Sequence, residues 1–511
     1  MAASAPGSMP ITETESAAAP PAGPARRILA LYLMLGFSAG LPFYMFNAVL
    51  TLRLARHDVD IVVIGFFAWV ALLPTFKFAW APLLDRYSIP GFASFFGRRR
   101  SWIMLSQLGI FSAMIAMALT SDDSSLPLTA LFAILLAFWT TTLEIAADGW
   151  RIELAPTQAE QGPMVAANLW GYRSAMVAAG SGAVFAAAVL DWTWAYLIIA
   201  IAAFAPFPVL AAMRPEPDAR TWRVKALVLG LVVSAVILLA TALVIMLLGW
   251  LALSAADSVG ITSKSNVTPF VLGVALLPFV ALAFALPRIR RLPPGADRTM
   301  HSLLAPYVEL FWRYGYMVLP VLAFVSFYRM GDVLTLTLSH PLWNEAGYSL
   351  EQISMADGAV ALVCSMAGVA VGGLMAARLK LIPALALGAI ASAISNWVFV
   401  WLWWEEPSSA VLYISAGVDQ FGHGLAGAVF VVYLSMLVSP RYPGTQYAFL
   451  SGFAFLLPRL LGGAAGAIQT QIGYDGFFML SGSLSLAAVI FLPVIARARA
   501  RVADIAEEEA P

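Results

Sequence analysis

The sequence predicts an all-α polytopic membrane protein, and three observations carry this prediction. Hydrophobic residues make up 61% of the 511-residue chain and charged residues only 11%, whereas roughly a quarter of a soluble domain is charged. Apolar runs of about 20 residues, the length that crosses a bilayer, recur fourteen times. Two distant stretches also nearly match, "FYMFNAVLTLRL" at 43–54 and "FYRMGDVLTLTL" at 327–338. The chain is therefore predicted to be a membrane protein with an internal repeat.

The apolar runs follow one another with short connections. Residues 1–25 precede them as a predicted disordered tail, because they are rich in Ala, Pro, Ser and Thr and lack apolar periodicity. The first run is interpreted as an uncleaved span. The runs lie near 28–51, 60–81, 101–119, 126–150, 163–189, 192–212, 225–252, 267–287, 314–338, 353–376, 381–403, 409–437, 443–470 and 475–496.

The basic residues predict the orientation, because short cytoplasmic loops collect Lys and Arg. With the N-terminus inside, 21 of the 29 Lys and Arg fall in cytoplasmic segments. Only Arg53, Arg56 and Lys264 fall on the outer side. Both termini are therefore predicted to be cytoplasmic.

The repeat predicts how the spans are grouped. The two matching stretches close the first and the ninth span, which run in the same direction, as in transporters built from parallel repeats. Setting the spans at 225–252 and 267–287 aside as an insertion leaves two halves of six spans. The predicted divisions are a tail at 1–25, an N-terminal half at 26–215, a linker with two extra spans at 216–300, a C-terminal half at 301–497 that begins with an interfacial helix, and a cytoplasmic tail at 498–511.

Short motifs resemble those of one transporter family. "PLLDRY" followed by "FGRRRSW" resembles the loop between helices two and three of major facilitator transporters. "LGFSAGLP", "DGWRIEL", "GYR", "YRMGD" and "TQYAFLSG" occur in the order found in the AmpG-type muropeptide permeases of that superfamily, and the similarity runs from about residue 31 to 495. The resemblance implies a major facilitator fold, with 12 core helices in two parallel halves plus 2 inserted helices, 14 in total.

The resemblance also implies a gate and a cargo. In the superfamily an acid at the end of helix two and a basic cluster latch the cytoplasmic ends of the helices. The family's cargo is N-acetylglucosaminyl-1,6-anhydro-N-acetylmuramic acid, with or without its peptide, carried across the inner membrane for peptidoglycan recycling. Another anionic cargo, such as a siderophore or a coenzyme A ester, stays open. The predicted gate residues are Asp85, Arg86, Arg98, Arg99, Arg100 and Arg151.

Charged residues inside the spans mark candidate functional sites, because a charge at the bilayer centre costs about 2.5 to 3.5 kcal/mol on insertion scales. Glu144 and Asp148 lie one helical turn apart on the fourth core helix and share a face. A carboxylate placed to take up a proton would suit symport. Asp148 has a second interpretation as a gating partner of nearby Arg151.

The ninth span carries Arg329 and Asp332, which are also close enough to neutralise each other. Gly331 between them weakens the helix, and discontinuous helices at mid-membrane often form transporter sites. We therefore expect this pair to line the cavity, and Asn47 in the matching stretch is a further candidate for substrate binding.

Asp419 and His423 form a similar pair on the tenth core helix, in "GVDQFGHGLAG". Histidine titrates near neutral pH and suits a proton relay, although a structural histidine is equally compatible with the pattern. The AmpG-type permeases lack this histidine, so the chain departs from the family here. The proton-coupling candidates are Glu144, Asp148, Asp332, Asp419 and His423.

Two arginines occupy equivalent places in the halves, Arg173 on the fifth and Arg459 on the eleventh core helix. They would suit an anionic ligand together with Arg329. They could instead neutralise acids, Arg173 pairing with Glu144 and Arg459 with Asp419. Lys77 on the second helix is expected to reach the cytoplasmic surface.

Other functional classes are disfavoured. The net charge of zero gives no indication of nucleic-acid binding, and no motif indicates a metal site, a cofactor or the nucleophile of a polytopic transferase. A channel would show charges of one sign as a ring. We expect a proton-driven importer of a bulky anionic glycopeptide that acts as a monomer by alternating access.

Overall fold

The computed structural model describes residues 25–56, 69–89, 91–120, 126–214, 282–293 and 303–508, together with isolated positions between 228 and 296. These residues are almost entirely helical and include no strand. The predicted tail and most of the two inserted spans lie outside the described residues. The count of 14 spans therefore stays a prediction.

Twelve membrane helices occupy the positions of the twelve predicted core spans. Ten of the described helices are long and apolar enough to cross a bilayer. The other two are α2, whose predicted first part is not described, and α11. The helices are α1 (Arg26–Arg56), α2 (69–86), α3 (Arg98–Leu119), α4 (Leu126–Leu154), α5 (Gln158–Val189), α6 (Trp192–Ala212), α7 (Val318–Glu345), α8 (Leu350–Arg378), α9 (Leu381–Trp404), α10 (Ser409–Leu437), α11 (Pro443–Gly462) and α12 (Ala465–Ala500).

The two halves pack their helices in the same way. In the first half α1 packs on α5, α2 on α4, and α3 on both α4 and α6. In the second half the equivalent contacts recur as α7 on α11, α8 on α10, and α9 on both α10 and α12. Between the halves, α2 contacts α11 and α5 contacts α8. These two contacts are equivalent, because the repeat relates α2 to α8 and α5 to α11. The predicted parallel repeat is thus present in three dimensions.

Polar residues at the helix starts follow simple capping rules. The side chain of Thr157 accepts a hydrogen bond from the backbone of Glu160, whose carboxylate accepts one in return, which begins α5. Ser349 and Gln352 form the same reciprocal pair at the start of α8. Such pairs satisfy backbone N–H groups that have no partner inside the helix.

Three membrane helices contain a short π-helical turn. These turns lie at Met45–Val49 in α1, Ala178–Gly182 in α5 and Ala356–Val360 in α8. A π turn inserts an extra residue into the helix and is common at functional sites. The sequence indicated an irregular helix at Gly331 in α7, whereas these π turns lie in α1, α5 and α8.

The expected break at Gly331 is wrong, since α7 is a continuous α-helix from Val318 to Glu345. The glycine serves close packing instead. A Cβ atom at this position would lie 2.1 Å from Ser485 Oγ and 2.5 Å from the carbonyl oxygen of Ser481. Gly331 therefore lets α12 approach the backbone of α7.

The segment predicted as an interfacial helix is helical from Ala305 to Tyr314. Tyr307 Oη donates a hydrogen bond to the carbonyl of Phe78 in α2. Gln446 Nε2 of α11 donates to the carbonyl of Pro306, at 3.0 Å. This helix contacts both halves, and its position relative to the membrane surface stays a prediction.

We expect Gly171→Ala to destabilise the N-terminal half. A Cβ atom there would lie 1.9 Å from the carbonyl oxygen of Leu33 in α1. Overpacking of this kind costs about 1 to 3 kcal/mol, so thermal unfolding in detergent should occur at a lower temperature. Gly180→Ala in the same helix is the control, because its Cβ would meet no atom within 4 Å. Equal unfolding temperatures for the two variants would contradict this packing argument.

Candidate functional site

A cavity lies between the two halves at the centre of the helix bundle. It has three adjoining lobes with volumes of about 180, 160 and 220 Å³. The first and second lobes share Tyr447, the first and third share Tyr172, and the second and third share Phe455. Because each pair of lobes shares a wall, we treat them as one composite site.

The cavity is lined by aromatic and apolar side chains with a small number of charges. The first lobe is bounded by α1, α4, α5, α10 and α11, the second lies mainly between α5 and the C-terminal half, and the third mainly between α2 and α11. Ligand sites commonly have this composition, in which apolar walls carry a few polar groups that orient the ligand. The charged or titratable residues that line the lobes are Lys77, Glu144, Asp148, Arg151, Arg173, Arg329, His423 and Arg459.

Glu144 pairs with Lys77 and not with Arg173. Lys77 Nζ lies 3.5 Å from Glu144 Oε2, and both side chains are largely buried. Lys77 therefore does not reach the surface as expected, because a carboxylate on α4 holds it inside the bundle. The pair lies on the wall of the third lobe.

Arg173 and Arg459 have no carboxylate within ion-pair distance among the described residues, so the expected neutralisation of Glu144 by Arg173 and of Asp419 by Arg459 is wrong. Arg459 donates a hydrogen bond to Thr75 Oγ1 in the opposite half. Its guanidinium lies 5.6 Å from the ring centre of Phe455, a distance typical of a cation–π contact. Two cations without acidic partners thus face the cavity, one from each half.

Arg329 and Asp332 form an ion pair, as the sequence suggested. Arg329 Nη1 lies 2.6 Å from Asp332 Oδ2. Arg329 lines the second lobe, whereas the side chain of Asp332 is fully buried and does not line it. Ser392 Oγ donates to the other carboxylate oxygen at 2.6 Å, and His423 Nε2 lies 3.6 Å from Oδ2. Only the arginine of this pair is therefore available to a ligand.

Two further candidates do not line the three lobes. Asp419 is 6% exposed, and its Oδ2 accepts a hydrogen bond from Gln420 at 3.0 Å. Asn47 lies in the π turn of α1, where its carbonyl accepts a bond from Thr51. Their roles in coupling and binding stay predictions.

The buried carboxylate of Asp85 joins the two halves at the end of the bundle that is rich in arginine. Arg99 of the same half lies 2.6 Å from Oδ1. From the opposite half, Thr445 donates to Oδ2 through its backbone N–H at 2.7 Å and its hydroxyl at 2.5 Å, and the Gly444 N–H lies 3.3 Å from Oδ1. The carboxylate of Asp85 thus lies against the N-terminus of α11, where the helix dipole favours a negative charge. We call Asp85, Arg99, Gly444 and Thr445 the latch.

Glu153 strengthens the same end of the bundle. Its Oε1 lies 2.8 Å from Arg99 and 3.1 Å from Arg98. Arg98 also donates to the backbone carbonyl of Asp85. Arg100 has a different role, since it donates to the carbonyl of Arg214 at the end of α6. Of the predicted gate residues, Arg98 and Arg99 therefore act directly on Asp85.

Arg151 connects the two halves closer to the cavity than the latch does. Its guanidinium pairs with Asp148 at 3.1 Å and donates to Ser435 Oγ of α10 at 3.0 Å. It also lies 5.4 Å from the ring centre of Tyr447 in α11. The Asp148–Arg151 pair fits the gating interpretation, because it forms the floor of the first lobe and contacts both halves.

The sequence analysis missed several of these partners. Glu153 lies in "DGWRIEL" and Thr445 in "TQYAFLSG", so their motifs were recognised while their roles were not. Pro443 at the first position of α11 was the available signal, because it predicts a helix N-terminus whose first N–H groups, including that of Thr445, have no partner inside the helix. No local signal identifies Ser435 or Phe455, whose functions depend on helices from elsewhere in the chain.

Comparisons with known proteins agree with this architecture. No family model matches the chain. It is 25% identical to putative transporter AmpG 4 of Rickettsia conorii, over 91% of the chain and 95% of that protein. It is 24% identical to the anhydromuropeptide permease of Escherichia coli K12, over 91% of the chain and 79% of that protein.

A solved structure shows the same fold. The human organic anion transporter MFSD10 superposes with a TM-score of 0.55 at 14% identity, over 92% of this chain and all of that one. The predicted all-α fold class, apart from the count of 14 helices, and the resemblance to the AmpG-type family are confirmed. The chain thus has the major facilitator fold, with ten described helices that could cross a membrane, and it is similar over nearly its whole length to transporters of the AmpG type.

Proposed function

We propose that this protein imports anhydromuropeptides across the inner membrane, by proton-coupled alternating access. The similarity to the Escherichia coli anhydromuropeptide permease supports the cargo. The central cavity between two similarly packed halves supports the mechanism.

The main observation is that Arg173 and Arg459 face the cavity, one from each half, and have no acidic partner among the described residues. A carboxylate of the cargo would complete their charge, and arginine binds carboxylates through two parallel hydrogen bonds. The aromatic ring of Tyr172, which lines two lobes, offers a flat surface for the apolar face of a sugar ring. An anionic glycopeptide combines these two features, and an importer of this class needs no covalent chemistry.

The latch supports a cytoplasmic gate. The positive-inside pattern places the arginine-rich end at the cytoplasm, with both termini inside. Asp85, Arg151 and the interfacial helix all join the halves at or near this end. In the conformation described, cargo would therefore enter from the outer side, and release would require the latch to open.

Proton coupling would use one of the two ion pairs at the cavity wall, Lys77–Glu144 or Arg329–Asp332. Neutralising either carboxylate would free its cation for the cargo. Asp148 belongs to the gate through Arg151, and Asp419 lies outside the three lobes. The proposal places one monomer as the functional unit, since the complete cavity is formed by one chain.

Uptake of labelled N-acetylglucosaminyl-anhydro-N-acetylmuramic acid into right-side-out membrane vesicles tests the proposal. Vesicles with the protein should accumulate the label when an inward proton gradient is imposed and lose it when a protonophore is added. Vesicles without the protein are the control. Folded protein that takes up no muropeptide would contradict the cargo and direct the search to siderophores and coenzyme A esters.

We expect Arg173→Gln and Arg459→Gln each to weaken cargo binding. A hydrogen bond to a charged group contributes about 1.5 to 3 kcal/mol, which corresponds to a rise in KM of roughly tenfold or more. Lys380→Gln, at an exposed position, is the matched control.

A cargo analogue with an amidated carboxylate sharpens this test. If the arginines bind the carboxylate, the neutral analogue should be transported poorly by the wild type and lose little more in the variants. If the variants transport the neutral analogue much more slowly than the wild type does, the arginines stabilise the fold and do not bind the cargo carboxylate.

We expect Asp85→Asn to loosen the cytoplasmic ends, because it removes the charge that holds Arg99 and the N-terminus of α11. Spin labels at Ala159→Cys and Lys380→Cys, in a Cys364→Ser background, would report the distance between the halves at this end. The variant should show a larger population with widely separated labels and slower uptake. Glu406→Gln, exposed at the opposite end of α9, is the control. Unchanged label distances in Asp85→Asn would refute the assignment of the latch.

A further inference from the structure

We propose that His423 delivers the coupling proton to Asp332, and that protonation of Asp332 releases Arg329 to bind the cargo. This inference rests on the proposed function and identifies which carboxylate titrates. It assigns to His423 the role of a proton relay.

The ion pair of Arg329 with Asp332 would act as a switch, in which Asp332 lies in the protein interior and Arg329 faces the cavity. Asp332 is fully buried, whereas the side chain of Arg329 is 12% exposed and lines the second lobe. One face of this guanidinium lies 5.3 Å from the ring centre of Phe455, the same ring that Arg459 contacts. Arg329 and Arg459 thus contact the same ring, and Asp332 is the ion-pair partner of Arg329 among the described residues.

His423 connects the cavity with the buried carboxylate. Its side chain is 12% exposed and lines the second lobe, and Nε2 lies 3.6 Å from Asp332 Oδ2. Nδ1 is buried and has no hydrogen-bond partner among the described residues. One ring nitrogen thus faces the acceptor, and the other is unengaged and can hold a second proton. A small rotation of the ring would bring Nε2 into hydrogen-bond distance.

The surroundings hold Asp332 in place during proton transfer. Ser392 Oγ of α9 donates to Oδ1 and is itself 3.1 Å from Ser485 Oγ of α12. Asn396 Nδ2 also lies near Ser485, at 3.3 Å. The groups that α9 and α12 direct towards Asp332 are therefore neutral hydroxyls and an amide, which keep the carboxyl group fixed without competing for the proton.

The charged groups around the switch come from four helices. Arg329 lies on α7 itself, His423 and Asp419 lie on α10, Arg173 lies on α5, and Asp357, which acts on Asp419, lies on α8. Asp419 is the competing acceptor on the α10 side. It makes no ion pair among the described residues, and His423 contacts Asp332 instead.

The proton balance is simple. His423 takes one proton from the outer side of the cavity and passes one from Nε2 to Oδ2, so that the carboxylate becomes a neutral acid and the ring returns to its neutral form. The ion pair with Arg329 loses its charge attraction. The guanidinium then binds the anionic cargo, and cargo release on the inner side restores the ion pair and expels the proton. One proton thus moves with each cargo charge that Arg329 binds.

The test compares exchange with concentrative uptake in proteoliposomes, using labelled N-acetylglucosaminyl-anhydro-N-acetylmuramic acid as the probe. Exchange of labelled for unlabelled probe needs cargo binding and alternating access but no net proton movement. Accumulation under a proton gradient needs coupling as well. The variants are His423→Gln and Asp332→Asn, with Glu144→Gln for the other ion pair. His340→Gln, at an exposed histidine outside the cavity, is the matched control.

We expect His423→Gln and Asp332→Asn to retain exchange and to lose accumulation. Asp332→Asn mimics the protonated acid, so its affinity for the probe should no longer depend on pH. The affinity of the wild type should rise as the outer pH falls, because Arg329 becomes available. Wild-type accumulation by His423→Gln, or loss of exchange in folded Asp332→Asn, would overturn the proposal, as would coupling that is lost only in Glu144→Gln.

A second measurement does not depend on the cargo. Infrared difference spectra of the purified protein should show a protonated carboxyl band on acidification that is missing in Asp332→Asn and shifted in His423→Gln. If the wild type carries no muropeptide but shows this band, the cargo is wrong and the switch is retained. If the band is unchanged in Asp332→Asn, the switch is refuted whatever the cargo is.

Discussion

The buried carboxylate of Asp85 is the constraint on which the closed arrangement of the halves depends. A charge removed from water is costly unless ion pairs and hydrogen bonds compensate it. Arg99 provides the charge from the same half, and the first turn of α11 provides N–H donors from the other. If the halves separate, Asp85 keeps Arg99 and loses α11. Opening therefore breaks hydrogen bonds without leaving an isolated buried charge, which makes the latch reversible.

The same electrostatic logic distinguishes the charges inside the cavity. Lys77, Arg151 and Arg329 each have a carboxylate at 3.5 Å or less. Arg173 and Arg459 have none among the described residues, and their desolvation is offset only in part by neutral groups such as Thr75. The three ion pairs cancel their own charges, so the net positive charge of the lining comes from the two unpaired arginines. In the proposed function, these arginines would favour an anionic cargo.

Close helix packing determines where these charged groups lie. Association of helices in lipid has no hydrophobic driving force and depends on packing, so small residues let backbones approach. Gly171 brings α5 against α1, and Gly331 brings α12 against α7. The close approach at Gly331 also places Ser485 near Ser392, which orients Asp332. The glycine that was expected to break the helix therefore supports the polar network beside it.

The twelve core helices, the two halves and the latch motif could be read from the chain, because apolar length, turn residues and charge runs are local properties. Pairing could be read where both partners lie on one helix, as for Arg329 with Asp332, and where a recognised motif joins two consecutive helices, as for Asp85 with Arg99. Lys77 with Glu144, Asp85 with Thr445, and His423 with Asp332 join helices that are distant in sequence. These contacts depend on helix rotation, since one residue turns a side chain by about 100° from lipid to cavity. The rotation of each helix about its own axis is set by packing between the helices, and it cannot be deduced from the spacing of residues along the chain.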